Sequence, residues 1–284
     1  MTIGRVAAMG GLLVAWLSAP GAIAGTITLD GNMTQGGLVI GKAEAGARVT
    51  IDGTAIRVSG AGAFLIGFGR DAKPVVRLRV DHPDGTRTEK VLNVAPRTYE
   101  VQRIDGLPSR QVTPTKPEDL ARIRQDNAKI AAVRQLDSGR SDFTSGFQWP
   151  ATGPVSGVFG SQRILNGKPR YPHNGVDIAA PRGSTVTAAA DGTVVLVHPD
   201  MFFPGKTVMI AHGHGLSSVY VHMDEILVSQ GQRVTKGTPI GIVGKTGRTT
   251  GPHLHWGVSL FKTHLDPALL AGRMKNFTHE TENR

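Results

Sequence analysis

The segment GPHLHWG, residues 251–257, holds His253 and His255 one residue apart behind a Gly-Pro turn signal. On a β-strand, residues i and i+2 point to the same side, so both imidazoles would face one way. Upstream, YPHNGVDIAAP carries His173 and Asp177 in an H-x-x-x-D spacing. Zinc accepts imidazole nitrogen and carboxylate oxygen, and a catalytic site keeps one position free beyond three protein ligands. His173, Asp177 and one of His253 and His255 therefore form a candidate ligand set. VYVHMD adds His222 at the end of an apolar alternation, where Tyr220 and His222 are expected on one strand face. An isolated H-x-H also suits two polar residues on a solvated strand. With His173, Asp177 and His222 in the same chain, the metal reading prevails.

Such a group of residues suits hydrolysis by an activated water. Zinc lowers the pKa of its water towards 7 and so yields a nucleophile at neutral pH. The oxyanion that develops on the carbonyl is stabilised by the metal and a neighbouring imidazole. A histidine near neutral pKa can take a proton and return it to the leaving amine.

The remaining histidines read as structural. His212-Gly213-His214 repeats the H-x-H spacing, but it lies in a glycine-rich connection with no accompanying carboxylate motif. His82 stands beside Pro83 in a turn, and His198, His264 and His279 are expected at the surface. Phe202 and Phe203, in HPDMFFPGK, are expected to pack under their loop, with a groove wall as the alternative.

Residues 146–270 must position the candidate site, and they read as strands joined by glycine turns: STVTAAADGTVVLV, KTVMIAHGHG, LSSVYVHMD, GQRVTKGTPIGIVGKTG and GPHLHWGVSLF. Residues 25–97 carry a second set of short alternating runs. Asp52-Gly53 and Asp84-Gly85 there are hairpin signals, and the set predicts a small β-sandwich without catalytic residues. Residues 98–145 form a linker with a helix over about 117–136. In that helix Leu120, Ile123, Ile130 and Val133 make one stripe. A polar tail covers 271–284. The fold is expected to be mainly β.

The start of the chain has the layout of a secretory signal peptide: Arg5, an apolar stretch, then Ala22-Ile23-Ala24 before Gly25. That stretch is shorter than the roughly 20 apolar residues a spanning helix needs. Cleavage after residue 24, with no stable membrane span afterwards, is the expectation. The absence of cysteine excludes disulfides and thiolate ligands. A net charge of +10 points to an anionic partner. With 5% aromatic residues and no nucleic-acid motif, that partner is sought among envelope polymers rather than nucleic acids.

Taken in order, HNGVDIAAPRGSTVTAAADGTV, VYVHM, GQRVTKGTPIGIVGKTGRTTGPHLHWGV and LDPALL resemble the lysostaphin-like, or LytM-type, zinc endopeptidases that cleave peptidoglycan peptides. The likeness runs from about Phe147 to Leu270 and implies an antiparallel β-sheet catalytic domain. It implies one zinc ion held by His173, Asp177 and His255, with a zinc-held water as nucleophile. It places His222 and His253 beside that water and the scissile carbonyl. Trp256 stands where the family usually has phenylalanine. The implied partner is peptidoglycan, in the periplasm or at the cell wall, with a regulatory envelope protein as a further candidate. Relatives that have lost ligands act as activators of other wall enzymes, and a purely structural envelope protein is the third reading. Both leave the retained histidine and aspartate residues without a role. The bond cut is either a glycine bridge or a D-amino-acid cross-link, and the lack of a wall-targeting repeat favours the second. By resemblance, upstream segments are expected to cover the zinc groove and restrain it; recruitment of substrate and a plain spacer are the alternatives.

Overall fold

In the computed structural model, which describes residues 26–274, the early alternating runs form two small antiparallel sheets. One orders Thr28–Gly31, Leu38–Lys42 and Ala63–Gly67. The other orders Thr54–Ile56, Arg48–Ile51, Val75–Asp81 and Arg87–Asn93. Val39, Phe64 and Ile66 of the first meet Val49, Leu78 and Val80 of the second in one core. Asp52 and Gly53 turn their hairpin with φ of 47° and 80°, the doubly positive geometry that matches strand twist. The reverse face of the first sheet is buried as well, since Leu38 and Leu65 join the core of the C-terminal half. A sheet covered on both faces explains why LVIG and AFLIG read as nearly unbroken apolar runs. Arg97 Nη1 to Asp266 Oδ2, at 2.8 Å, links the two halves.

Residues 98–145 hold more structure than a linker with one helix. Val101–Ile104 pairs in parallel with Gln162–Leu165, a short helix α1 follows at Ser109–Val112, and α2 spans Pro117–Val133. Proline at its first position and Glu118 and Asp119 in its first turn suit the start of α2. The anticipated stripe is only half present. Ile130 and Val133 pack on Leu196, Met201, Met209 and Val219, whereas Leu120 is exposed. Nearer the N-terminus the buried face is acidic: Asp119 accepts from Arg110 Nε at 2.7 Å, and Asp126 accepts the Phe202 amide at 2.8 Å.

The C-terminal half is built on a ten-stranded antiparallel sheet. Its main path runs Arg233–Val234, Gly192–Met201, Gly205–Gly213, Leu216–Ile226, Leu254–Leu260, Val176–Ile178, Val155–Gly157. Tyr220 and Trp256, paired across neighbouring strands, are fully buried beneath it. A last helix, α3 at Pro267–Ala271, is capped by the Asp266 carboxylate, which accepts the Ala268 amide at 3.0 Å. Among the described residues no helix is long and apolar enough to cross a membrane. The signal-peptide segment, His279 and most of the polar tail lie outside the described residues.

Candidate metal centre

Strand register brings the ligand candidates together. Asp177 pairs with His255 across neighbouring strands, and His255 in turn lies opposite Val221. Directly opposed residues share a face, and His255 Nδ1 lies 2.8 Å from Asp177 Oδ1. His173, in the loop before the Val176–Ile178 strand, places Nε2 2.9 Å from His255 Nδ1 and 3.1 Å from Asp177 Oδ1. Its Nδ1–H donates to the Val158 carbonyl at 3.1 Å, which turns the Nε2 lone pair inward. Gly157 makes room for this: a Cβ there would stand 2.4 Å from Asp177 Oδ2.

The three donor atoms suit zinc. Bonds of about 2.0–2.1 Å to a tetrahedral ion set neighbouring ligand atoms about 3.3 Å apart, and the observed separations of 2.8–3.1 Å need only a slight expansion. Burial would raise Asp177, but the hydrogen bonds and charges of His173 and His255 outweigh it and hold the carboxyl well below the usual range. Burial pushes His255 down to about 4 against the pull of Asp177. At neutral pH this leaves an anionic oxygen and an unprotonated ring, the forms that bind a metal.

The other two histidines stand beside this triad. His253 Nε2 is 3.8 Å from Asp177 Oδ1, and the His253 and His222 rings are 4.8 Å apart. Each has its Nδ1 tied to the backbone, His253 to the Gly251 carbonyl at 2.9 Å and His222 to the Thr246 carbonyl at 2.8 Å. That tautomer presents Nε2 towards the centre. Burial, reinforced by His253 and His255, pushes His222 down to about 3.

His222 arrives by a different route from the one strand alternation predicts. Tyr220 points away from the cleft into the core, where its hydroxyl accepts the Ala189 amide at 2.9 Å. Val219 and Val221 line the cleft, so regular alternation would turn His222 inward with Tyr220. Instead His222 has φ of 66° where its strand leaves the partner Leu254–Leu260 and takes up Pro239–Val243. The left-handed residue swings the ring into the cleft. Tyr220 and His222 therefore do not share a face.

Elsewhere the expectations fare unevenly. His212 is buried, with Nδ1 2.6 Å from the Asp191 carbonyl and Nε2 2.8 Å from Ser218 Oγ. His214 lies in the following turn with φ of 50°, so the second H-x-H holds no common face. His82 is buried between Glu44 and Thr88, and His198 sits 3.0 Å from Lys129 Nζ. His264 is not a surface residue: it is half-buried, and burial, with help from Arg134 and His255, pushes it down to about 4. Phe202 is buried as expected, and Phe203 takes the alternative role and lines the cleft. A residue that sequence reasoning missed is Arg163, whose Nη2 bonds Asp177 Oδ2 and so directs Oδ1 at the histidines. Nothing local in GSQRILNG marks it, because its partner is brought in by the fold.

His173, His222 and His255 line a cleft of about 500 Å³. It is also lined by Val112 of α1, by Asn127 and Ile130 of α2, and by Arg134 just after that helix. Gln111 Nε2 donates to the Gly247 carbonyl at 3.1 Å, fastening α1 to the loop before His253.

Residues 171–267 match the sequence profile of Peptidase family M23. A crystal structure of an M23 peptidase candidate from Pseudomonas aeruginosa is similar over 85% of this chain and 96% of its own, with TM-score 0.65 and 32% identity. Peptidoglycan DD-endopeptidase ShyA of Vibrio cholerae serotype O1 is 47% identical over 87 residues, 30% of this chain and 20% of that protein. Peptidoglycan DD-endopeptidase ShyB of the same organism is 39% identical over 125 residues, 43% of this chain and 26% of that protein. The matched segments thus span only a fifth to a quarter of these curated relatives.

Proposed function

The chain belongs to peptidase family M23, and on that premise we propose that it is a zinc endopeptidase that hydrolyses peptide cross-links or stem peptides of peptidoglycan. The observation that carries this reading is the convergence of His173 Nε2, Asp177 Oδ1 and His255 Nδ1 within 3.1 Å of one another. We assign the metal to these three residues and the proton transfers to His222 and His253. Bound there, zinc supplies Lewis-acid polarisation of the scissile carbonyl and a lowered pKa for the attacking water. Asp177 remains ionised, and Arg163 fixes its orientation. One of the two free Nε2 atoms takes the proton of the attacking water and returns it to the leaving amine nitrogen. The other, when protonated, donates to the developing oxyanion. The roles are shared between two rings in contact.

We extend the proposal to place and control. The signal-like N-terminus and this substrate fit an exported protein of the bacterial envelope, most simply the periplasm. The α1–α2 segment beside the cleft fits a restraint on substrate access. The test is digestion of defined cross-linked muropeptides by the zinc-loaded full chain, with products identified by mass. Release of monomers by amide hydrolysis is expected; dimers left intact by a protein carrying one zinc per chain would overturn the reading and favour a binding module.

A further inference from the structure

The cleft is lined by four arginines, Arg134, Arg163, Arg170 and Arg248, and by no aspartate or glutamate. The nearby carboxylate, Asp177, is already engaged by Arg163 and the histidines. Among the described residues only Arg163 of the four is paired with a carboxylate. Nε of Arg163 and Nε of Arg134 are buried without a hydrogen-bond partner among the described residues. Arg170 Nη2 donates to the Val112 carbonyl at 2.7 Å and Thr113 Oγ1 at 3.0 Å, and its Nη1 to the Pro169 carbonyl at 3.0 Å, all neutral acceptors. Among the described residues Arg248 Nη1 has only the Gln111 carbonyl, at 3.4 Å, while its guanidinium lies over the Phe203 ring 4.3 Å from the centroid. Burial, with Arg163 and Arg170 close by, pushes Arg248 down to about 10. Like charges gathered in a half-buried cleft are costly unless an anion joins them, and backbone carbonyls offer only partial charge. A plain structural tie between α1 and the catalytic half needs neutral donors or paired charges, not this excess.

We propose that Arg170 and Arg248 form a carboxylate-binding subsite beside the metal centre, made for a free carboxylate of the stem peptide, and that the Gln111 and Val112 carbonyls occupy it in the resting chain. This rests on the peptidoglycan reading above. Arg248 is braced by Phe203 on one side, so its fork is set in place before the ligand arrives, and a carboxylate can accept from both arginines at once. The same contact links binding to release of α1. A substrate carboxylate that takes both guanidinium groups displaces three hydrogen bonds that hold residues 111–113 in the cleft, one from Arg248 and two from Arg170.

The test uses the full chain and two probes: a cross-linked stem-peptide dimer with its carboxylates free, and the same dimer with them amidated. Loss of charge-assisted bonds predicts a KM at least about tenfold higher for the amidated dimer, with kcat little changed. Arg170→Gln and Arg248→Gln should each shrink that preference, and Arg248→Lys should keep part of it. Fluorescence anisotropy of the labelled dimers on metal-free protein separates this proposal from the hydrolase reading. Tighter binding of the free acid without cleavage of either dimer by the zinc-loaded chain leaves the subsite standing and overturns the hydrolase. Equal cleavage of both dimers overturns the subsite and keeps the hydrolase. Binding of neither dimer, or of both equally, overturns the subsite, as does an acid preference unchanged in Arg170→Gln and Arg248→Gln.

Discussion

Replacing His222 by glycine should leave a more stable protein than replacing it by alanine, although alanine is the less drastic change to the side chain. Both substitutions remove the buried ring and leave the Thr246 carbonyl without its donor, a shared loss of about 1–3 kcal/mol. They differ in the backbone. At φ of 66°, an L-residue in the left-handed region is strained by about 1–2 kcal/mol. Glycine escapes that strain but loses about 0.5–1 kcal/mol through its freer unfolded chain. The net expectation is a glycine variant more stable by about 0.5–1 kcal/mol. Urea unfolding of the metal-free proteins measures it as a higher midpoint at unchanged slope, and removing the metal keeps ligand binding from masking the difference. Both variants should lose turnover by about 10² or more. An alanine variant as stable as the glycine variant would refute the claim that left-handed backbone at 222 carries the ring into the cleft.

Three further outcomes follow from the same geometry. His253→Ala should keep its zinc yet lose turnover by about 10², read from metal content beside initial rates; normal rates would remove His253 from the proton transfers. Val112→Asp, at a buried position packed on Leu107 and Leu165, should loosen α1 and raise activity on sacculi by about fivefold for each kcal/mol of closing free energy removed; a fall in rate with folding intact would favour recruitment by that segment. A chain cut at Ser145 is a poorer test, because it discards Phe143, which is fully buried in the catalytic core. His212, pushed down by burial to about 4 from an ordinary 6.5, stays neutral in the fold while the unfolded chain takes up a proton. Its contribution is present above pH 6.5 and is lost as pH falls through 4, a change of about 3 kcal/mol. The stability difference between the metal-free wild type and His212→Asn should shrink by that amount over this range, and a constant difference would contradict it.

How far the site is legible in sequence depends on which rule places each residue. His253, one residue before its strand, and His255 on it turn to the same side as i, i+2 spacing suggests, and Asp177 faces His255 because their strands pair in that register. His222 breaks parity through one left-handed residue, and nothing in VYVHMD announces it. The α2 stripe misleads at Leu120 because its first buried turns use Asp119 and Asp126, whose partners Arg110 and Phe202 come from other elements. His264 looks like a surface residue until its strand is laid against Ser259. Arg163, the arginine-lined wall and the α1 contact depend on long-range approach, which residue spacing does not encode.

The measurement closest to the central claim is the zinc content of the purified wild-type chain and of His173→Ala, Asp177→Ala and His255→Ala, each checked for folding by circular dichroism. The expected result is one zinc per wild-type chain and loss of most of it in each variant while the fold is kept, because a β-rich core of this size does not depend on the metal as a small zinc finger does. Zinc retained at wild-type level in a folded His255→Ala protein would show that the ion, if bound, is held somewhere else.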